Sequence, residues 1–220
     1  MQRDVGSGTI LIAGSLASVL VMSLHPTSHD LLDPQRSQGQ AHLNVLVHSL
    51  ALAATPALFM GLLGLWCRLG APGLATAAIV AFGFGGVAIL SAAVASGFVA
   101  TEVFARLREG EGHSRELYHV LAAYTGMLNQ GYAKVSVVAW SVAILLFSVA
   151  ILRSRQMSRA AGIGGIIVGA GVLLVFLSGH VRLNVHGYGM VVFAQSAWLV
   201  WIGILLCRHG GDGGAERREP

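Results

Sequence analysis

Charge is what this chain has least of: only 11% of its 220 residues are Asp, Glu, Lys or Arg, against about a quarter in an ordinary soluble domain. A water-facing surface of normal polarity cannot be built from that supply, so a soluble globular fold is excluded. Lysine is nearly missing, with Lys134 the only one, and the acids number ten. Two cysteines, Cys67 and Cys207, imply no disulfide framework. A Walker loop, a dinucleotide fingerprint, an HExxH zinc motif, a paired CxxC and a nucleophile elbow are all missing. No stretch between apolar runs is long enough for a separate soluble domain, which excludes a kinase, a dehydrogenase with its own nucleotide domain, or an anchored DNA reader.

What the chain has is apolar length: 55% of residues are hydrophobic and the mean hydropathy is +0.70. Crossing about 30 Å of hydrocarbon takes roughly 20 apolar residues per helix. Six runs meet that requirement, at about 8–24, 43–66, 73–96, 134–152, 160–179 and 188–207. The first has no convincing cleavage site before His25 and reads as a retained span rather than a removed signal. Glycine is abundant, at 29 residues. In lipid, small residues let helices approach closely, and Gly165 with Gly169 forms such a packing face.

The expected fold class is therefore all-α: a polytopic membrane protein with six transmembrane helices arranged as three helical hairpins. Basic residues set the orientation. Arg3, Arg68, Arg153, Arg155, Arg159, Arg208, Arg217 and Arg218 fall on the side shared by both termini, and Arg36, Arg106, Arg108, Arg115 and Arg182 on the other. Eight against five favours both termini in the cytoplasm of a bacterial-type inner membrane. Cys67 and Cys207 then lie at inner helix ends, where thiols stay reduced. The net charge of +4 comes largely from inner-side arginines and points to anionic lipid, with no nucleic acid as partner. Residues 209–220, rich in glycine and charge, are expected to be a disordered cytoplasmic tail.

Nine histidines stand beside the ten acids. Three pairs share one spacing, His42 with His48, His113 with His119 and His180 with His186, each where the chain returns toward the membrane from outside. The repeat supports three hairpins about 70 residues apart. The middle one overruns. Counting about 20 residues back from Arg153 puts the outer end of the fourth span near Lys134, so 97–131 must project outward as a helical hairpin or fold along the interface as a lid. On its return leg His119, Ala122, Ala123, Gly126, Gln130 and Ala133 share one stripe, suited to a tight protein contact or a docked partner protein.

Depth counting brings His25, His48, His180 and His186 to one outer level, with Lys134 and Arg182 beside them and Glu102 near. Imidazoles gathered from several helices can hold copper, zinc or iron without any local sequence signature. Glu102 or Asp30 can complete such a shell or orient an imidazole. Haem b needs two facing histidines with basic groups such as Lys134 or Arg182 for its propionates. The candidate metal ligands are thus His25, His48, His180, His186 and Glu102, and the candidate cofactor contacts are Lys134 and Arg182. Histidine is also amphipathic enough to sit at a membrane surface and bind nothing.

Other polar groups carry less. Asn44 and His48 share a helical face above Pro56, which frees a backbone carbonyl. Gln195 reads as a helix-to-helix hydrogen bond. His25 and Asp30 have the spacing of an acyltransferase pair, but no companion motif follows. The functional expectation is an outward-facing histidine layer that binds a transition metal or haem, with oxidoreduction the class of chemistry if the chain is an enzyme. The alternatives are a small-solute permease built on glycine-rich, broken helices, or a membrane subunit or sensor that docks a partner through 97–131.

Overall fold

The structure, a computed structural model, describes residues 2–32, 37–70, 72–154, 156–180 and 183–212. It is all-helical, with no strand among the described residues. The elements are α1 (Gln2–Leu24), α2 (Ser28–Leu32), α3 (Ser37–Leu69), α4 (Pro72–Val94), a π-helical turn (Ala95–Val99), α5 (Ala100–Glu109), α6 (Gly112–Ser154), α7 (Arg159–Leu177) and α8 (Val185–Asp212). Six helical segments are long and apolar enough to cross a membrane, with α4, the π-turn and α5 counting as one. Helices are the natural form for such runs, because inside hydrocarbon every backbone polar group must find a partner within the chain.

Helices that follow one another in sequence pack side by side, and α1 closes onto α8, so the six spans form a ring. The most extensive contacts are α4 with α6, α1 with α8, α1 with α3 and α6 with α7. The third expected hairpin is the loosest, because α7 leans mainly on α6 and α8 mainly on α1. Glycine explains the α1–α8 closure. A β-carbon at Gly8 would run into the Gly203 carbonyl and the Cys207 sulfur, so the two backbones are nearly in contact. Gly165 and Gly169 do the same on α7, against Ser148 and Trp198 and against Ser141 and Leu145.

One end of the ring is filled with apolar side chains, among them Leu11, Leu58, Leu62, Phe82, Phe147 and Ile202. The start of α1 and the last turns of α8 lie at that end: Arg68 pairs with Asp4 at 3.2 Å, and the Cys207 thiol meets the Val5 carbonyl at 3.6 Å. Buried serines and threonines donate to carbonyls of their own helix, as Ser15 does to Leu11 and Ser148 to Ile144, and a few larger polar side chains reach across helices. Gln195 Nε2 donates to Ser141 Oγ at 3.1 Å, the interhelical bond expected of it. Trp140 donates to the Phe82 carbonyl at 3.0 Å while its ring stacks on that of Phe82, centroids 4.9 Å apart.

At the other end two helices overrun. The third span runs unbroken from Gly73 to Glu109 and α6 holds 43 residues, a length of about 65 Å at 1.5 Å per residue. Residues 97–131 thus run from the π-turn through α5 into the first half of α6, with α5 and α6 packed together and turned back on each other near Gly112 at φ +52. Arg108 ties this extension to α2 by donating to the Leu31 carbonyl at 2.7 Å. Helix α8 continues to Asp212, into the stretch expected as a disordered tail, and residues 213–220 lie outside the described residues.

Candidate functional site

The site begins with a proline. Pro26 disfavours the helical conformation for the residue before it, so α1 stops at Leu24 and His25 leaves the helix. Thr27 and Asp30 then start α2 by exchanging bonds: Thr27 N and Oγ1 donate to Asp30 Oδ2 at 2.8 and 2.7 Å, and Asp30 N donates back to Thr27 Oγ1 at 3.3 Å. That reciprocal capping gives Asp30 a structural role beside His25.

Across from His25 stands His48, buried on α3 at 5% exposure. Its neighbour one turn earlier, Asn44, is more buried still and reaches to the π-turn. Asn44 Nδ2 donates to the Ser96 carbonyl at 2.9 Å, the Gly97 carbonyl at 3.4 Å and Thr101 Oγ1 at 2.9 Å. Thr101 Oγ1 donates to the Gly97 carbonyl at 2.7 Å. A π-turn breaks the regular i to i−4 ladder, and these side chains satisfy the carbonyls it releases. The turn also brings the Gly97 backbone against the His48 side chain, where a β-carbon at position 97 would collide with His48 Cβ and Cγ.

Both imidazoles are fixed by main-chain carbonyls. His48 Nδ1 lies 2.7 Å from the Asn44 carbonyl and His25 Nδ1 lies 2.8 Å from the Pro26 carbonyl. A carbonyl oxygen only accepts, so each Nδ1 carries the proton and each neutral ring presents a bare lone pair at Nε2. Burial pushes His25 below its ordinary pKa of 6.5, with the Pro26 carbonyl pulling weakly the other way. The two Nε2 atoms face each other at 3.2 Å, with ring centroids 4.8 Å apart and planes at 70°. Two lone pairs at that distance repel unless something positive lies between them. A shared proton or a metal ion meets that need. With metal–nitrogen bonds of roughly 2 Å, a separation of 3.2 Å corresponds to an N–metal–N angle of about 106°, close to tetrahedral.

Two cavities adjoin the pair, both lined by His25 and the smaller one also by His48. A wide vestibule of about 790 Å³ opens above it, lined by His25, Asn44, Gln130, Lys134 and His186 among others. A smaller, mostly apolar cavity of about 140 Å³ lies below, with His25, His48, Met22, Thr55 and Tyr188 on its wall and Trp140 at its floor. Gln130 fixes one side by donating to the Leu183 carbonyl at 2.7 Å. Ala122, Ala123 and Gly126, the small-residue stripe of α6, line the vestibule.

The remaining candidates are spread out. His186 and Lys134 are exposed on the vestibule wall. His180 is exposed and holds Ser178 Oγ at 2.7 Å, and Glu102 is exposed in an ion pair with Arg106 at 2.8 Å. Arg182 lies outside the described residues. No group of three His, Cys, Asp or Glu converges on one point among the described residues. Sequence reasoning missed Gly97 and Met22, which have no local signature, and saw Asn44 only as a neighbour of His48.

No family model, curated protein or solved structure matches the chain.

Proposed function

We propose that this multi-pass protein sits in a bacterial-type inner membrane with both termini in the cytoplasm and binds a transition-metal ion between His25 and His48. The observation that carries this reading is the opposed pair of Nε2 lone pairs at 3.2 Å, each imposed by a carbonyl on the far side of its ring. Imidazoles that ligate a metal through one nitrogen commonly donate the other N–H to a carbonyl, which fixes tautomer and direction. The vestibule supplies an entry path from outside. His186 and Lys134 stand on its wall, whereas His180 and Glu102 line neither cavity.

Haem b has less support. Two imidazoles on opposite faces of one iron stand about 4 Å apart, twice a metal–nitrogen bond of about 2 Å, with a macrocycle between them. The 3.2 Å gap and the contact of Gly97 on His48 leave no slot for one. A permease also has less support, because below Trp140 the ring is packed with Phe82, Phe147, Leu58 and Leu62. A docking role for the outer hairpin has one observation in its favour: Leu117, Val120, Tyr124 and Met127 are exposed at helical spacing on α6. Loss of a co-purifying protein on deletion of 103–130 would be its signature.

Metal analysis and an absorption spectrum of the purified full chain, expressed with metals and haem precursor supplied, test the main reading. One equivalent of metal, no Soret band, and loss of the metal in His25→Gln and His48→Gln are expected. Protein with neither metal nor Soret band defeats it.

A further inference from the structure

The charge of the ion can be read from what surrounds the pair. Neither cavity is lined by a carboxylate or a thiolate among the described residues, and the ionisable groups on their walls besides the pair are Lys134, His186 and Tyr188. The nearest acid in sequence, Asp30, holds Thr27. Among the described residues, therefore, neither cavity wall offers the ion an anionic ligand. The cost of moving a bare charge out of water grows with the square of that charge, so a divalent ion held here without an anion is far costlier than a monovalent one. The angle of about 106° implied by bonds of roughly 2 Å is too bent for linear two-coordination and leaves space for a further donor on the cavity side.

One soft donor lines that side. Met22 stands three residues before His25, one helical turn away, on the wall of the same small cavity as both histidines. Its thioether is neutral, polarisable and carried on a flexible stem. Soft sulfur ligands select monovalent copper, and imidazole accepts it. Resting on the metal reading above, we infer that the ion is Cu(I), bound by His25 Nε2 and His48 Nε2 with the Met22 sulfur as third donor. The neutral donors that line the small apolar cavity then have one common explanation.

Competition against a Cu(I)-specific chromophoric chelator under reducing, anaerobic conditions, on the full chain in detergent, tests this. Ag(I) serves as a redox-inert stand-in and Zn(II) as the divalent control. Wild-type protein should take one equivalent of Cu(I) or Ag(I), and Zn(II) in tenfold excess should not displace it. Met22→Leu should weaken Cu(I) binding by at least about tenfold, the loss seen when even an outer-shell partner is removed, while its unfolding midpoint in the apo form stays at the wild-type value. X-ray absorption at the copper edge of the wild-type protein should show a sulfur shell at about 2.3 Å beside nitrogen at about 2.0 Å, a readout independent of any variant's folding. Stoichiometric Zn(II) or Fe(II) binding without Cu(I) would overturn the monovalent assignment and leave the metal site standing. Failure of every ion to bind would overturn both. Cu(I) bound with an all-nitrogen shell, and unweakened in Met22→Leu, would remove Met22 as a ligand.

Discussion

Gly97→Ala is a small change with a large expected consequence. Its β-carbon would land on His48 Cβ and Cγ and come within 3.2 Å of Cδ2, where carbon pairs settle at about 3.5–4.0 Å. His48 Cβ is fixed to the α3 backbone, so the clash cannot be relieved by swinging a flexible side-chain end. The π-turn and α3 must part by roughly an ångström, and overpacking of that kind costs about 1–3 kcal/mol. The same movement carries His48 Nε2 away from His25, beyond the tolerance of about 0.5 Å that a preorganised site allows. Metal affinity should fall about 10–100-fold, the range for lost outer-shell support. Equilibrium unfolding in SDS reads the first effect and metal competition the second. Gly126→Ala is the control, because nothing lies within 4 Å of its added methyl, and it should gain up to about 1 kcal/mol from helix propensity alone. A Gly97→Ala protein that unfolds like wild type and holds metal equally well would refute the close approach.

Three further outcomes follow from the hydrogen bonds and the topology. Asn44→Ala should cost about 0.5–1.5 kcal/mol, because the part-buried Ser96 carbonyl loses its side-chain donor. Faster amide hydrogen exchange across 96–101 should accompany that loss, and unchanged exchange would mean that vestibule water already serves the carbonyl. Gln195→Leu removes the bond to Ser141 and should cost about 0.6 kcal/mol and not more than about 1.7, the span measured for interhelical bonds in lipid; SDS unfolding is again the assay. With the termini inside, an impermeant maleimide applied to spheroplasts should label Ser114→Cys in the outer hairpin and spare exposed Cys67. The reverse pattern inverts the orientation.

The six spans and the overrun of the third and fourth were legible because both depend on counting apolar residues against a fixed membrane thickness. Counting also brings His25 and His48 to one depth. It could not choose between His48 and the turn histidines as the neighbour of His25, since rotation about each helix axis is set by packing. Pro26 directs His25 toward α3, whereas His180 folds back on its own turn toward Ser178. The π-turn was invisible because Ala95–Val99 has no composition of its own. It exists where Gly97 fits against His48 and where Asn44 and Thr101 hold the released carbonyls, conditions that need α3 and the third span to meet in one register. The closure of α1 onto α8 likewise depends on Gly8 meeting Gly203, residues at opposite ends of the chain.

Nitrogen-15 NMR of histidine-labelled protein, read before and after one equivalent of metal, reaches the opposed lone pairs most directly. Two of the nine histidines, assigned to His25 and His48 by substitution, should keep Nδ1–H throughout while their Nε2 signals move on metal addition. Nε2 protons on both rings that persist, with signals unmoved when metal is added, would contradict the site.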